Sequence, residues 1–245
     1  MIKAINSFLF GLTLPLRAAK LICTHRTLLV WSAIPVLLSV TVHSYLFLQL
    51  QQLAQKWLTG TLTHWGMDPS GWSMSIILFL GKLFVMLAGI LSFSIVASTI
   101  ASPFNDVLAE KSEALIAPPL PPTSTKIQLF SGAQLKILTI DITKSIVAAG
   151  MGLFALAVSW IPLINLVAAV ALMLLICFQF TSYPQTRRGL GLIAGLRFLK
   201  QHFSACLGFG ISASLGFALP LISVIFLPIA VVSGTWLVAR AELEK

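Results

Sequence analysis

Two uncharged stretches in the second half of the chain constrain its fold more than any other feature. Ser145 to Thr186 gives 42 residues without a formal charge, and His202 to Ala239 gives 38. A continuous helix of 42 residues would be about 63 Å long, roughly twice the hydrocarbon thickness of a bilayer. Each stretch therefore has to fold back on itself, which predicts two helical hairpins, at residues 145–186 and 203–239.

Prolines mark where each hairpin turns. Proline lacks a backbone N–H and disfavours helix in the residue before it, so Pro162 and Pro220 predict the two breaks. The same Pro-Leu-Ile sequence occurs at both positions, 58 residues apart, and indicates a weak internal repeat. Interrupted helices in repeats are common around transporter substrate sites, although two ordinary hairpins explain the pattern equally well. Arms of about 17–20 residues leave open whether the hairpins cross the membrane or penetrate partway.

The first half of the chain predicts two single membrane helices, at residues 28–50 and 73–101. Residues 1–27 predict a helix lying on the membrane surface, because Arg17 and Lys20 follow the apolar run without a signal-cleavage pattern. Residues 102–144 predict a cytoplasmic helical segment with a Pro-rich linker. In it, Ser102-Pro103 is typical of a helix start, and Thr125 to Lys144 predicts an amphipathic helix.

Composition and charge agree with a membrane-embedded chain. With 58% hydrophobic and 9% charged residues, the chain cannot cover a soluble surface with polar groups, and neither disorder nor a coiled coil fits. The net charge is +9, but the cations are spread thinly and form no dense basic face, so no nucleic-acid partner is expected. If the N-terminus is cytoplasmic, all cations except Lys56 and Lys82 fall on the cytoplasmic side, which predicts cytoplasmic termini.

The patterns of enzymes and metal proteins are missing from the sequence. It contains no phosphate-binding glycine loop, Walker lysine or Gly-x-Ser-x-Gly elbow, and its four histidines have no ligand spacing. We therefore expect no catalytic residues, no metal, no cofactor and no nucleotide hydrolysis by this chain. The three cysteines are far apart, and two lie in apolar runs, which indicates packing rather than disulfides.

Several short motifs carry a resemblance to a known family. Ile100-Ala101-Ser102-Pro103-Phe104-Asn105-Asp106, continuing to Glu110, resembles the segment after the second membrane helix of the CysZ sulfate permeases, within the wider etoposide-induced-protein-like family. The resemblance extends to Ile161-Pro162, Ser182-Tyr183-Pro184, Leu219-Pro220-Leu221-Ile222, Leu227 to Val231 and Gly234-Thr235-Trp236. It implies a multi-pass protein of the bacterial inner membrane that takes up sulfate for assimilation and cysteine biosynthesis. It also implies partly penetrating hairpins and homo-oligomers in membrane lipid.

The expected anion site departs from the family pattern. The family's Gly-Leu-Arg-Arg, before the first membrane helix, corresponds here to Thr24-His25-Arg26-Thr27, so one arginine remains and the glycine is absent. We expect Arg26 to be the main charge contact, with donors from the other three residues, and the alternative is a topology anchor. Secondary candidates for the anion site or pore are Arg187, Arg188, Arg197, Asn105, Asp106, Glu110, Pro162, Asn165 and Pro220.

The sequence thus predicts an all-α integral membrane protein with two long helices and two hairpins, and a sulfate or oxyanion permease. The rival function is a non-transporting membrane scaffold or assembly protein with the same fold. The sequence leaves open whether the anion is sulfate, thiosulfate, sulfite or selenate, and whether the changed motif abolishes sulfate binding. It also leaves open the number of subunits and the choice between a channel and a proton-coupled mechanism.

Overall fold

The computed structural model describes residues 2–66, 71–117, 143–144, 147, 150–152 and 162–243. Every regular element in these ranges is a helix, which confirms the all-α fold class. The helices are α1 (Ile2–Thr24), α2 (Arg26–His64), α3 (Trp72–Ile116), α4 (Pro162–Arg187), α5 (Leu192–Gln201), α6 (Phe203–Phe217) and α7 (Pro220–Leu243).

Within the described residues, five helices contain segments long and apolar enough to cross a membrane. These segments are Ile2–Thr24, Arg26–His64, Trp72–Gly89, Asn165–Arg187 and Ile222–Leu243. Helix α6 is also apolar, but its 15 residues span only about 22 Å, less than the hydrocarbon core. The chain is therefore a multi-pass membrane protein.

The chain divides into two compact units. Unit 1 comprises Met1–Ser32 and Pro103–Lys245, and unit 2 comprises Ala33–Ser102. Unit 1 contains the hydrophobic core, in which Leu14, Phe209 and Val231 are fully buried. All the candidate anion-site residues belong to unit 1.

Helix α6 packs between α1 and α4 in unit 1 through glycines. A Cβ at Gly11 of α1 would overlap the carbonyl oxygen of Ala205, and one at Gly208 of α6 would overlap that of Phe8. On the other side of α6, a Cβ at Gly210 would overlap the carbonyl oxygen of Met173 on α4. Small residues let helix backbones approach closely, as is common in membrane proteins. In the structure, α1 therefore packs against α6. The placement of α1 on the membrane surface stays a prediction.

Helices α4 and α7 run parallel to each other, with a constant offset in numbering. Gly234 of α7 lies against Phe180 of α4, and Glu242 binds Arg188, so both pairs are 54 positions apart. Each helix begins at one of the two prolines of the Pro-Leu-Ile repeat, Pro162 or Pro220. The second arms of the two predicted hairpins are thus equivalent elements packed side by side.

The predicted turn of the second hairpin lies at Ala218 and Leu219, between α6 and α7. Phe217 and Phe226 contact each other edge to face across this turn, with ring centroids 5.1 Å apart. Most of the first arm of the first hairpin, and the predicted helix from Thr125 to Lys144 apart from its last two residues, lie outside the described residues.

Helix α3 passes through Ser102-Pro103 without interruption, so the helix start predicted there was wrong. One helix of 45 residues covers the predicted span 73–101 and the first part of segment 102–144. Membrane helices tolerate proline because neighbouring groups satisfy the freed backbone atoms, so a Ser-Pro pair need not begin a helix there. The helix ends at Ile116, just before Pro118, as the Pro-rich sequence predicts.

Unit 2 consists of antiparallel parts of α2 and α3. Gly81 of α3 lies against Leu58 of α2. Gly89, about two turns later on α3, lies against Phe47, about three turns earlier on α2, so the two helices run in opposite directions. Large apolar side chains point outward on both helices, including Leu37 at 66% exposure and Phe84 at 73%. In a membrane protein such side chains face lipid.

Candidate anion site

The predicted anion motif lies at the junction of α1 and α2. His25 is the single residue between the two helices, Thr24 ends α1, and Arg26 begins α2. The first turn of any helix has backbone N–H groups without intrahelical partners, and these favour anions. The sequence therefore places Arg26 beside the positive end of the α2 dipole.

Two of the four motif side chains already bond to α1. The Thr24 hydroxyl lies 3.0 Å from the carbonyl oxygens of both Lys20 and Leu21, to which it donates. Nδ1 of His25 lies 3.1 Å from the carbonyl oxygen of Leu21. The same Nδ1 also lies 3.1 Å from the Thr24 hydroxyl, so the imidazole contacts the last turn of α1 through two groups.

Arg26 and Thr27 differ from these two residues because both side chains are exposed. The next residue, Leu28, is fully buried and fixes the start of α2 in the core of unit 1. An exposed guanidinium on a helix anchored in this way can bind an oxyanion with two parallel hydrogen bonds. Of the predicted motif, Arg26 is therefore the residue best suited to contact an anion.

The second predicted group, Arg187 and Arg188, forms an ion-pair cluster that joins three helices. Nη2 of Arg187 lies 3.2 Å from Oε2 of Glu113 at the end of α3. Arg188 binds both Glu113 and Glu242, the latter near the end of α7. Two arginines and two glutamates give the cluster no net charge, so an anion would have to displace a carboxylate to bind Arg188.

The end of α4 holds both arginines in place. The amide of Gly189 donates to the Thr186 carbonyl oxygen at 2.8 Å, and the amide of Leu190 donates to the Gln185 carbonyl oxygen at 3.0 Å. With a φ of 71° at Gly189, this is a Schellman cap, for which glycine is favoured. Burial lowers the pKa of Arg188, but the hydrogen bond to Glu242 and the charge of Glu113 outweigh it and raise the pKa above its usual range.

A buried polar group that the sequence did not single out lies beside this cluster. Nζ of Lys144 donates to the Thr186 hydroxyl at 3.0 Å and lies 5.9 Å from the centre of the Phe178 ring. Lys144 as a whole is only 3% exposed. Oε1 of Gln185 and Nη1 of Arg187 are buried and have no hydrogen-bond partner among the described residues. In the sequence, Lys144 is one of the charged residues of a predicted amphipathic helix. No local sequence pattern indicates that its side chain is buried against α4.

The family-like segment of α3 divides between two faces of the helix. Asn105 is 2% exposed, and its Nδ2 donates to the Tyr183 hydroxyl on α4 at 3.3 Å. Its Oδ1 is buried without a hydrogen-bond partner. Asp106 and Glu110 are exposed. Asn105 therefore helps to join α3 to α4, whereas the two carboxylates face away from this contact.

Asn165, Pro162 and Pro220 lie too far along their helices from the ion-pair cluster to share one anion with the arginine pair. Asn165 is exposed near the start of α4, 22 residues or about 33 Å along the helix from Arg187. Pro162 and Pro220 are the first residues of α4 and α7. Arg197 is exposed on α5. A search of the described residues for a group of three His, Cys, Asp or Glu side chains able to hold a metal finds none.

The fold and this arrangement define the class of protein: a multi-pass helical membrane protein with an exposed arginine at a helix N-terminus. The chain belongs to the family described as Sulfate transporter CysZ/Etoposide-induced protein 2.4, whose family model matches residues 14–228. This finding confirms the resemblance drawn from the sequence motifs.

Curated relatives named Sulfate transporter CysZ match along most of the chain. The protein from Pseudomonas aeruginosa (strain LESB58) is 28% identical over 228 residues, covering 86% of this chain and 88% of the relative. That from Pseudomonas syringae pv. tomato (strain DC3000) is 30% identical over 220 residues and 82% of each chain. That from Pseudomonas paraeruginosa (strain PA7) is 29% identical over 189 residues, covering 73% of this chain and 74% of the relative.

Proposed function

We propose that this chain is an inner-membrane permease for sulfate or a related oxyanion, and that it supplies sulfate for assimilation and cysteine biosynthesis. The observation that carries the proposal is the match, over 82% or more of both chains, to relatives named as sulfate transporters. The proposed mechanism is permeation without nucleotide hydrolysis by this chain, and without enzymatic activity.

Arg26 is the main anion contact in this proposal. Its exposed guanidinium stands at the first residue of α2, where free amide groups and the helix dipole add to its charge. A dianion loses strong hydration on binding, so it needs both a cation and N–H donors. Thr27 adds an exposed hydroxyl, His25 adds an imidazole donor, and the bonded Thr24 orients the junction.

The arginine pair has a different proposed role. Since Glu113 and Glu242 neutralise Arg187 and Arg188, we assign them to holding α3, α4 and α7 together. Among the described residues, Nη1 of Arg187 is a buried donor of this cluster without a hydrogen-bond partner, which makes it a secondary anion contact. Asp106, Glu110, Arg197, Asn165, Pro162 and Pro220 remain secondary pore candidates.

The proposed location is the bacterial inner membrane, with both termini in the cytoplasm, and the chain is proposed to assemble as a homo-oligomer in lipid. The distribution of the sixteen basic residues supports the orientation, because Lys56 and Lys82 alone fall elsewhere. Native mass spectrometry of the detergent-purified chain measures the number of subunits, and a monomer at every detergent concentration would contradict the assembly.

Flux of labelled sulfate into liposomes tests the function. Vesicles that contain the purified chain should accumulate more label than empty vesicles, and unlabelled sulfate in excess should compete. Thiosulfate, sulfite and selenate as competitors identify the preferred anion, and a proton gradient that changes the rate would indicate coupling. No flux above empty vesicles, with an unrelated anion channel active in parallel, would support the rival scaffold function instead.

A further inference from the structure

A groove between α2 and α3 in unit 2 has no role in the proposed transport site. Its volume is about 340 Å³. Most of its wall is apolar, and includes Leu78, Phe84 and the exposed Trp57. The polar side chains on the wall are Gln51, Gln55 and Lys82.

The positive charge of Lys82, which lines this groove, requires a counter-ion or access to the membrane interface. An ammonium group within an apolar membrane segment is costly unless it pairs or reaches the interface. The described residues of unit 2 include no acidic side chain, and Asp68, the one acidic residue of Ala33–Ser102 in the sequence, lies outside them. Within the part of unit 2 that the structure describes, Lys82 therefore lines a lipid-facing groove without a carboxylate beside it.

The rest of the wall matches an amphiphilic ligand. Gln51 and Gln55 are four residues apart on one face of α2, where their amides can donate to phosphate oxygens next to Lys82. Trp57, with its apolar ring and N–H, is of the type found at the headgroup level of membranes. Phe84 and Leu78 supply an apolar surface along which an acyl chain can lie.

We propose that this groove binds an anionic phospholipid, with the phosphate on Lys82 and an acyl chain along the apolar wall. The lipid supplies the counter-ion that the described residues of unit 2 do not. Because the proposal rests on the membrane-embedded helices and not on sulfate transport, failure of the flux experiment leaves it standing.

Native mass spectrometry of the purified full chain with added lipid tests the proposal. Phosphatidylglycerol and phosphatidylethanolamine are compared, since only the first carries a net negative charge. The wild-type chain should retain phosphatidylglycerol preferentially, and Lys82→Gln should lower that retention about fivefold, as one lysine near anionic lipid typically contributes. Lys56→Gln is the matched control, because Lys56 is exposed on α2 but does not line the groove.

A second variant tests the acyl-chain part of the groove. Ala54 lines the groove, so Ala54→Phe fills it without changing charge and should reduce phosphatidylglycerol retention. Unchanged retention in Lys82→Gln, or an equal loss in Lys56→Gln, would overturn the proposal. Displacement of the lipid by sodium sulfate, but not by sodium chloride of equal ionic strength, would show a site for free oxyanions instead. Dimers that disappear in Ala54→Phe without any retained lipid would assign the groove to a second copy.

Discussion

The arginines of this chain differ in whether a carboxylate neutralises them. Arg188 contacts both Glu113 and Glu242, so its charge holds three helices together. Arg26 is exposed at the start of α2. Equal charge in the sequence therefore corresponds to two environments, one neutralised by carboxylates and one exposed, and we propose that the exposed arginine receives the anion.

Replacement of Arg26 by Ala should weaken sulfate binding about 10- to 100-fold. A hydrogen bond to a charged group contributes roughly 1.5–3 kcal/mol, and each 1.4 kcal/mol is about tenfold in affinity. Arg26→Lys should lose less, because it keeps the charge but not the two-pronged geometry. Equilibrium binding of labelled sulfate to the purified variants provides the measurement.

The control for Arg26 is Lys200→Ala, which removes an equally exposed cation from α5. Lys200→Ala should bind sulfate as the wild type does. If Arg26→Ala folds correctly and binds sulfate with unchanged affinity, Arg26 is only a topology anchor.

Replacement of Glu113 by Gln should destabilise unit 1 by about 1–3 kcal/mol. The variant leaves two arginines sharing one glutamate in a largely buried cluster. Glu110→Gln, three residues earlier on an exposed face of the same helix, should change stability by less than about 0.5 kcal/mol. Unfolding followed by tryptophan fluorescence in mixed detergent micelles compares the two, and equal midpoints would refute the structural role of the cluster.

The sequence indicates most of the charged residues of interest but not their partners. Arg187, Arg188 and Asn105 were identified from the sequence, whereas the buried contact of Lys144 with Thr186 was not. Lys144 precedes Thr186 by 42 residues, and neither periodicity nor charge pattern reports a contact over that distance. Local patterns show that a charge is present, and only the packing of helices shows what neutralises it.

At the scale of elements, glycines decide which helices pack together. Gly11 and Gly208 let α1 and α6 approach until their backbones touch, and Gly210 does the same for α6 and α4. Gly60 on α2 has open space around its Cβ position. The same substitution should therefore have opposite effects at different glycines.

Gly11→Ala should destabilise the chain by about 1–3 kcal/mol, because its new methyl group collides with the Ala205 carbonyl oxygen. Gly60→Ala should be neutral or stabilise it by up to about 1 kcal/mol, since alanine favours helix over glycine. Thermal denaturation of the two variants, followed by circular dichroism in the same detergent, measures both. Loss of stability in Gly60→Ala equal to that in Gly11→Ala would contradict the close α1–α6 contact.

Proline predicts a helix boundary correctly when it is the first residue of a helix, and wrongly when it lies inside one. Pro220 begins α7 directly after the break at Ala218 and Leu219, as the fold-back argument requires, whereas the residues before Pro162 lie outside the described ranges. Pro103, by contrast, lies inside α3, and Pro184 inside α4. A proline removes one backbone hydrogen bond in every case, but surrounding helices determine whether the chain turns there.

For the whole molecule, the free cysteines provide a test of orientation. Cys23 is exposed near the end of α1, whereas Cys177 and Cys206 are completely buried. If the N-terminal region is cytoplasmic, a membrane-impermeant maleimide should label Cys23 in inside-out vesicles and not in right-side-out vesicles. Mass spectrometry of the labelled peptides gives the readout.

The control for this experiment is Cys23→Ser, which should abolish labelling in folded protein. Labelling of Cys23 in right-side-out vesicles alone would reverse the proposed topology. Labelling of Cys177 or Cys206 before unfolding would contradict the packing of α4 against α6.

Long uncharged stretches determined by themselves that this chain is an all-α membrane protein, and Pro220 marked the break between α6 and α7. These are consequences of the cost of polar groups in lipid, which acts on every residue locally. The tertiary structure decided the rest: α1 against α6, α4 parallel to α7, and Glu113 between two arginines. Those contacts join residues far apart in the chain, so their energies depend on which surfaces meet and not on any local pattern.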